Sequence, residues 1–454
     1  MYEDEDYEEF DASYSQEMVE EEMNLGIVSL AEHCLIPTLR SVSSQLLLLL
    51  TCCLLYRCTT QLANVPMAIR HMISSVIGLY ALIYFFKGLV IDLLILVVVA
   101  YVILSILNAL EVNHGPIITL LSFGYLVGNE FLLEPESWQK IRGPEMLAVM
   151  KVISIAFDLD SGVIKRLPNL WEYSGYVLCV GTSVFGAWCS FQDYLNIYIN
   201  PIWNIKWVIK AVQSLLLGLL SFTLSVCFVE WFIPPESSEW WGMYRDALQF
   251  RTSHYFVSYL SETAAVLSGF GAQSNGQWHL NVSEPQHIEL PHSLVQVVIY
   301  WNKYMHKWLK LYVFRTSSKY GGLVAVLATY TVSSLLHGLN YPLAAILMSL
   351  GVYTYVEYSV RYKLSVLLDA CVTARPCPAH CMRHKHSSSL LPVAMVNWLW
   401  SALAVFHLAY LGCIVDTTSS TPAPFPQAFQ KWSNTHYISH WIALTTYFLY
   451  FCIK

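Results

Sequence analysis

Apolar residues are gathered along the chain into blocks of helical length with few charges. The blocks 93–110, 173–192, 211–229 and 432–453 contain no Asp, Glu, Lys or Arg. Roughly 20 apolar residues of helix are needed to cross the ~30 Å hydrocarbon core of a bilayer. A fifth uncharged block, 320–356, has room for two such helices joined at a Gly-Pro turn signal, 338–342. The pattern predicts an all-α polytopic membrane protein.

The same reading predicts about eleven transmembrane helices. The predicted spans are 41–56, 71–86, 93–110, 112–131, 173–192, 211–229, 255–272, 320–337, 341–358, 393–415 and 435–453. Two further segments, 138–170 and 292–315, are amphipathic, and we expect them to be re-entrant or interfacial. Half-embedded segments need protein or water around their polar groups, so they are expected to line a cavity.

Composition and charge refine this picture. The chain is 56% hydrophobic and only 13% charged, against about 25% charged for a soluble domain, which excludes a disordered protein, a coiled coil and a nucleic-acid binder. The first 22 residues hold 11 of the 32 acidic side chains and no base, and account for the net charge of −7. We therefore divide the chain into an acidic disordered tail, 1–24, and a membrane domain, 25–454. An acidic docking segment is the alternative for the tail.

Lys and Arg in short loops indicate the orientation of the chain. The loop 359–392, called the Cys/His-rich loop below, is basic, whereas 416–430 is acidic and rich in proline. We expect the basic loop to be cytosolic and the 338–342 turn to lie toward the lumen. Asn281 begins an Asn-Val-Ser glycosylation sequon, which has meaning only if its loop faces the lumen.

Most of the twelve cysteines lie inside apolar spans, Cys34 and Cys227 among them, and are expected to be small hydrophobic residues. The exception is the Cys/His-rich loop, where Cys371, Cys377 and Cys381 lie close to His384. Three thiols and an imidazole suit a tetrahedral zinc site. The alternative is a basic loop with free or acylated cysteines, since the spacing matches no standard zinc finger.

His337 is the one histidine in the uncharged block that ends at residue 356. Tyr330, Ser333 and Ser334 lie on the same helix face, so we predict that they line a substrate cavity. An imidazole suits a general base at neutral pH, and polar groups inside a membrane are functional hypotheses by default. The alternative is a hydrogen-bonded packing residue, as for the other histidines in apolar stretches.

Asn302 lies 35 residues before His337, on the amphipathic segment, next to Trp301. A neutral amide can donate a hydrogen bond to a developing oxyanion, and a base with such a donor is the minimum set for acyl transfer. The alternative is an ordinary polar residue on a helix surface or at a cap.

Trp301-Asn302 with the segment 308–314 (WLKLYVF), followed by 333–338 (SSLLHG), resembles the signature of the membrane-bound O-acyltransferase family. The segments 142–146, 155–160, 253–257 and 406–412 are similar to its protein-acylating branch. The resemblance covers about 25–454 and implies a membrane-bound O-acyltransferase domain in a multi-pass protein of the endoplasmic reticulum. It implies palmitoleoyl-CoA as co-substrate, a serine hydroxyl of Wnt proteins as acceptor, and His337 and Asn302 as the catalytic pair. Trp301, Ser333, Ser334 and Tyr330 are then expected to line the substrate cavity.

Three other functions stay open from the residues. A lysophospholipid acyltransferase of the same superfamily often has Trp before the His and Pro-Gly after it, unlike Leu336 and Gly338 here. A proton-coupled transporter could use acidic residues in or near the spans as a relay, although no internal repeat is found. The relay candidates are Asp92, Glu130, Glu262 and Glu357. The third is a noncatalytic membrane scaffold.

A row of bases precedes the helix that carries His337. Its members are Lys303, Lys307, Lys310, Arg315 and Lys319. They could bind the phosphates of coenzyme A, or they could anchor the helix at the cytosolic surface.

Overall fold

A computed structural model describes residues 29–62, 64–199, 201–378, 380–415 and 429–453. Within these ranges the chain is helical, and no strand is found there beyond two isolated bridges. The all-α prediction is therefore confirmed for the described residues. The acidic tail predicted for 1–24 and most of the 416–430 loop lie outside them.

The helices follow one another with short connections. The longer ones are Ile36–Thr59, Met67–Phe86, Val90–Ala109, His114–Leu132, Pro135–Asp160, Ile205–Thr223, Glu239–Leu267, Gly322–Leu336, Tyr341–Leu367, Leu391–Gly412 and Ile438–Cys452. The shorter ones are Leu170–Val177, Val180–Ser183, Phe191–Ile199, Val229–Phe232, Gln286–Glu289, Leu294–Trp301, Lys303–Leu309, Arg315–Ser317 and Gln430–Asn434. Turns of π-helix occur at Ala31–Leu35, Leu224–Phe228 and Lys310–Phe314, and turns of 3-10 helix at Lys87–Leu89 and Ser318–Tyr320.

Five helical stretches in the described ranges are long and apolar enough to cross a membrane, which makes the protein a multi-pass membrane protein. They are Ala31–Thr59, Met67–Ala109, Ile205–Phe232, Tyr341–Leu367 and Leu391–Gly412. Gly322–Leu336, the helix that precedes His337, is apolar but shorter. The predicted count of eleven spans is not reproduced.

The predicted span 173–192 is wrong, because this stretch is a broken, buried segment and not one helix. Helix Leu170–Val177 stops, a single turn follows at Val180–Ser183, and the chain is irregular until Phe191. Lys151 satisfies the carbonyl groups left free at the break: its Nζ donates to the carbonyl oxygens of Tyr176 and Val177 at 3.1 and 3.0 Å. Irregular backbone inside a membrane domain needs such internal partners, and an uncharged stretch cannot reveal that they come from a distant helix.

The segment 138–170 is not the interfacial element that its mixed composition suggested. Most of it belongs to the continuous helix Pro135–Asp160, whose side chains are largely buried. Its polar residues are paired inside the protein: Asn129 Nδ2 donates to both carboxylate oxygens of Glu145 at 3.0 Å, and Tyr312 Oη donates to Asp158 at 3.0 Å. Internal pairing removes the need for water that the sequence pattern implied.

Two hydrophobic cores meet at the second amphipathic segment. The larger core is built mainly from the first nine helices and includes Trp308 and Leu336, while a smaller core contains Leu294 and Tyr353. The segment from Leu294 to Trp308 therefore starts in one core and ends in the other. Its helical periodicity is confirmed, but it is broken into two helices at Asn302.

Cys34 and Cys227 form a disulfide bond, so the prediction that they are small hydrophobic residues is wrong. Two apolar blocks far apart in sequence give no sign that their cysteines meet. Cys227 lies near the start of helix Glu239–Leu267, because Ser225 Oγ donates to the Gln249 carbonyl at 3.0 Å. That helix end also pairs with the region after Leu391–Gly412, through Lys431 and Asp246 at 2.6 Å. The disulfide thus lies beside the first half of helix Glu239–Leu267.

The Asn281 sequon lies at the other end of helix Glu239–Leu267. The side-chain oxygen of Asn281 accepts from Lys210, which also pairs with Glu262, and its amide donates to Glu284 at 3.3 Å. The Asn281 side chain is therefore hydrogen-bonded inside the protein, and use of the sequon stays a prediction.

Candidate active site

His337 ends the helix Gly322–Leu336 and begins a tight turn. Its N–H donates to the Ser334 carbonyl, and the Gly338 N–H donates to the Leu335 carbonyl, both at 3.0 Å. Gly338 has φ +79°, in the left-handed region that suits glycine at a helix C-terminus. The residues 337–339 are called the His337 turn below.

Two charged residues from neighbouring helices hold the backbone of the His337 turn. Arg142 Nη1 donates to the His337 carbonyl at 2.9 Å, and the Leu339 N–H donates to Glu130 Oε2 at 2.6 Å. A Cβ atom at Gly338 would stand 2.5 Å from the same Glu130 oxygen, so only glycine permits this approach. The position of His337 is therefore fixed by helices His114–Leu132 and Pro135–Asp160 as well as by its own.

The imidazole of His337 is half-buried, and among the described residues it makes no hydrogen bond. The ionisable groups that act on it electrostatically are Arg142 and His254. A packing histidine would have a ring nitrogen paired, as His407 Nδ1 is with the Ser439 hydroxyl at 2.6 Å. A positioned ring with an uncommitted nitrogen can instead accept a proton from an approaching hydroxyl.

Asn302 separates the helices Leu294–Trp301 and Lys303–Leu309, with an extended backbone at φ −149° and ψ 94°. Its Oδ1 accepts the Met305 N–H at 3.0 Å, so it is the N-cap of the second helix. This break with its cap is called the Asn302 joint. The cap engages only the carbonyl oxygen of the side chain. The amide Nδ2 has no hydrogen-bond partner in the described part of the chain, so it is available as a donor.

His254 connects the two catalytic candidates. Its ring stacks on Trp301 with centroids 4.2 Å apart and planes at 9°, and its Nε2 donates to the Trp301 carbonyl at 3.1 Å. The same ring is an electrostatic neighbour of His337. Helix Glu239–Leu267 therefore fixes the residue before Asn302.

The other predicted cavity residues have separate surroundings. The Tyr330 ring packs against the backbone of Gly351, and Ser333 is buried. A cavity of 270 Å³ runs beside the same helix, and its lining includes Phe123, Phe157, Trp308, Tyr312, Lys319 and Val332. Trp301, Tyr330, Ser333 and Ser334 are not part of that lining, so their assignment to a substrate cavity stays a prediction.

The row of bases does not act as one surface. Lys303 forms an ion pair with Glu284, and Lys307 lies over the Trp188 ring at 5.8 Å. Lys319, at the cytosolic start of helix Gly322–Leu336 in the predicted orientation, lines the cavity. Of the row, Lys319 is thus the base that lines this cavity.

The acidic residues proposed for a proton relay are distributed among different sites. Glu130 accepts from the His337 turn, Glu262 pairs with Lys210, and Glu357 pairs with Arg361 at 2.9 Å. These partners are structural, and no hydrogen bond in the described residues joins one of these acids to another. This arrangement disfavours the transporter alternative.

The four metal candidates of the Cys/His-rich loop converge on one point. The Sγ atoms of Cys371, Cys377 and Cys381 lie 3.7, 3.6 and 3.5 Å from His384 Nδ1. All four potential ligand atoms lie within 4.8 Å of one another. The spacing of these four residues in the sequence did not predict that they would lie so close together, because it matches no standard zinc finger.

The thiols of this loop differ in acidity. The backbone N–H groups of Arg383 and His384 donate to Cys381 and lower its pKa to about 6. Burial raises the pKa of Cys371, with further contributions from the neighbouring thiols. The Cys381 thiol is thus the more easily ionised of the two.

Arg142 and His254 are the functional candidates that sequence reasoning missed, and Glu130 was considered only as a relay acid and not as a support of His337. Arg142 and Glu130 are 195 and 209 residues from their partners in the His337 turn, and no periodicity pairs residues over such distances. The one available signal was that Arg142 and His254 lie in segments that carry the family resemblance.

Comparison with known proteins shows the family of the chain. The model of the membrane-bound O-acyltransferase family matches residues 153–411. The chain is 35% identical to the Homo sapiens protein-serine O-palmitoleoyltransferase porcupine, over 93% of this chain and 96% of that protein. It is 38% identical to the Anopheles gambiae protein of the same name, over 72% of this chain and 73% of that protein. Lysophospholipid acyltransferase 2 of Arabidopsis thaliana is 28% identical, over 50% of this chain and 59% of that protein.

Proposed function

The chain belongs to the membrane-bound O-acyltransferase family, and we propose that it transfers a palmitoleoyl group from palmitoleoyl-CoA to a serine hydroxyl of Wnt proteins. The observation that carries this proposal is the similarity, over almost the whole chain, to a protein-serine O-palmitoleoyltransferase. The similarity to a lysophospholipid acyltransferase extends over only half of the chain. The protein-directed reaction is therefore favoured over the lipid-directed one.

In this proposal His337 is the general base. Its ring takes the proton of the serine hydroxyl while the serine oxygen attacks the thioester carbon. When the tetrahedral intermediate collapses, the carbon–sulfur bond breaks, and the proton passes from His337 to the sulfur of coenzyme A. The uncommitted imidazole on a rigidly held turn supports this role, because a base must be positioned while its ring remains free to exchange a proton.

Asn302 is the oxyanion donor. Its Nδ2 would donate to the thioester oxygen as negative charge develops there. The fixed backbone of the Asn302 joint supports this role, because a donor lowers the barrier most when it does not have to reorient during the reaction. Capping and oxyanion stabilisation use different atoms of the side chain, so both are possible together.

The acyl donor is placed from the cytosolic side in this proposal. The cavity beside helix Gly322–Leu336 has aromatic walls suited to an acyl chain, and Lys319 is available for an anionic group. The polar end of coenzyme A then stays at the cytosol, while the serine arrives from the lumen of the endoplasmic reticulum. A reaction centre inside the membrane domain joins the two without moving coenzyme A across.

We include one zinc ion in the proposed enzyme, bound by Cys371, Cys377, Cys381 and His384. Three thiolates and one imidazole make a closed, four-coordinate set, which is typical of structural zinc and leaves no open position for catalysis.

Purified enzyme tests the acceptor class directly. It is incubated with labelled palmitoleoyl-CoA and a Wnt-derived serine peptide, the same peptide with alanine for serine, or lysophospholipids. We expect label on the serine peptide and none on its alanine counterpart. Label on lysophospholipid with none on the serine peptide would contradict the proposal and favour the lipid-directed reaction.

A further inference from the structure

The distances in the Cys/His-rich loop are those of a tetrahedral metal site. With Zn–S of about 2.3 Å and Zn–N of about 2.0–2.1 Å, tetrahedral angles place each sulfur about 3.6 Å from the nitrogen. The three observed separations are 3.7, 3.6 and 3.5 Å. One imidazole nitrogen can serve a hydrogen bond to one thiol, but not to three at once. A shared cation explains the convergence of all three sulfur atoms.

The backbone beside the first ligand is tied into the membrane domain. Cys371 N–H donates to the His386 carbonyl at 2.9 Å, which closes the loop on itself. Asn397 Nδ2, from helix Leu391–Gly412, donates to the Cys371 carbonyl at 3.1 Å. Cys371 is buried, so this end of the loop belongs to the protein interior.

Arg361, which is fully buried, links the loop to a second segment. It donates through Nε to the Val372 carbonyl at 2.7 Å and through Nη1 to the His292 carbonyl at 2.7 Å. The charge is balanced by Glu357 at 2.9 Å. A single guanidinium therefore bonds to the backbone of the loop on one side and to the backbone before helix Leu294–Trp301 on the other.

The start of helix Leu294–Trp301 is hydrogen-bonded to the Cys/His-rich loop and to Glu357, the partner of Arg361. Ser293 is its N-cap through the Gln296 N–H at 3.1 Å, and its hydroxyl also donates to the Ala374 carbonyl of the loop at 2.7 Å. The Leu294 N–H donates to Glu357 Oε2 at 2.7 Å. This helix has eight residues, a length of about 12 Å, and the next residue after it is Asn302. Its position therefore sets where the Asn302 joint begins.

We propose that zinc in the Cys/His-rich loop positions Asn302, through Arg361 and the helix Leu294–Trp301. The metal holds the loop closed, the loop and Arg361 fix the start of the helix, and the helix presents the oxyanion donor at its other end. Arg361 and the four ligands are positioning residues that do not touch substrate. The inference rests on the proposed function for the role of Asn302, but the mechanical link can be measured without it.

The test compares the full-length Cys377→Ser variant with wild type and with Cys58→Ser, which alters an exposed cysteine outside the loop. Three quantities are measured: zinc per chain, hydrogen exchange of the amides in 292–302, and the kcat and KM of serine-peptide acylation. We expect about one zinc in wild type and Cys58→Ser. In Cys377→Ser we expect loss of zinc, faster exchange in 292–302 with unchanged exchange in 337–339, and kcat lower by up to about 10²-fold, with little change in the KM for palmitoleoyl-CoA.

Chelation of wild-type enzyme and re-addition of zinc provide a second route if the variant does not fold. We expect both the exchange and the kcat to return with the metal. Wild-type protein with no zinc, or zinc loss that leaves exchange in 292–302 unchanged, would overturn the inference. Faster exchange with normal kcat would support the link from the metal to the helix, while overturning the catalytic role of Asn302 and thus that part of the proposed function.

Discussion

The His337 turn and the Asn302 joint are both held by hydrogen bonds, but the bonds fall on different atoms of the two residues. At the His337 turn, Arg142 and Glu130 bind the backbone, while the imidazole has no partner in the described ranges. At the Asn302 joint, the side chain itself is engaged, through its oxygen at the Met305 N–H. One site fixes the main chain and leaves the ring free, and the other fixes the side chain.

This difference matches the two chemical roles. A general base must exchange a proton within one turnover, so its nitrogens cannot be committed to permanent partners. An oxyanion donor is most effective when it already points where charge will develop, so a held side chain is an advantage. The comparison predicts that substitutions at the two sites have separable consequences.

The largest effect is expected from His337→Ala. Loss of the base should lower acylation of the serine peptide by about 10²–10⁴-fold, while the backbone bonds from Arg142 and Glu130 can still form. The rate is measured per folded enzyme, with His279→Ala as the control because His279 is an exposed histidine. Normal turnover in His337→Ala would contradict the role of His337 as general base, and with it the difference in role between the His337 turn and the Asn302 joint.

Asn302→Asp should have the next largest effect. Asp caps a helix about as well as Asn, so the joint keeps its acceptor for the Met305 N–H but loses the amide donor. We expect kcat to fall by about 10²–10³-fold, with thermal stability close to that of wild type. Asn302→Ser, which also preserves a cap, should behave alike. Retained turnover in both variants would show that Asn302 is only a cap.

A smaller effect is expected from Glu130→Ala, because it acts on His337 only through the backbone. A hydrogen bond to a charged group contributes about 1.5–3 kcal/mol, so turnover should fall at least roughly tenfold if the turn shifts. Glu130→Gln retains an acceptor for the Leu339 N–H and should remain close to wild type. Equal losses in both variants would indicate a role for the charge and not for the hydrogen bond.

The smallest effect is expected from His254→Phe. A phenyl ring can still stack on Trp301, but it cannot donate to the Trp301 carbonyl, a bond worth about 0.5–1.5 kcal/mol. We expect a loss of turnover of only a few-fold, with no change in the preference for serine peptide over lysophospholipid. A loss as large as that of His337→Ala would mean that His254 takes part in the chemistry.

The sequence predicts the helices better than it predicts their arrangement. Helices such as Met67–Phe86 and Val90–Ala109 are visible because long apolar runs reflect local physics. The broken segment after Leu170 is invisible, because Lys151 satisfies its free carbonyls from another helix. The disulfide between Cys34 and Cys227 is also missed, because it too joins residues that are far apart in the sequence.

In the candidate site, too, the sequence predicts some features and not others. His337 stands out as a lone imidazole in an uncharged block, Asn302 stands out by its place in the family signature, and the cluster around His384 stands out by residue type. The residues that hold them, such as Arg142, Glu130 and Arg361, act over long sequence separations. Sequence patterns therefore point to groups that can do chemistry, but not to the contacts that position them.

Single-turnover transfer from bound donor tests the central claim most directly. Wild-type and His337→Ala enzymes are loaded with labelled palmitoleoyl-CoA, the amount bound is measured, and the serine peptide is then added. The account predicts equal donor binding, rapid labelling of the peptide by wild type, and transfer slowed by at least about 10²-fold in the variant. Transfer at the wild-type rate, or slow transfer explained entirely by failure to bind the donor, would contradict it.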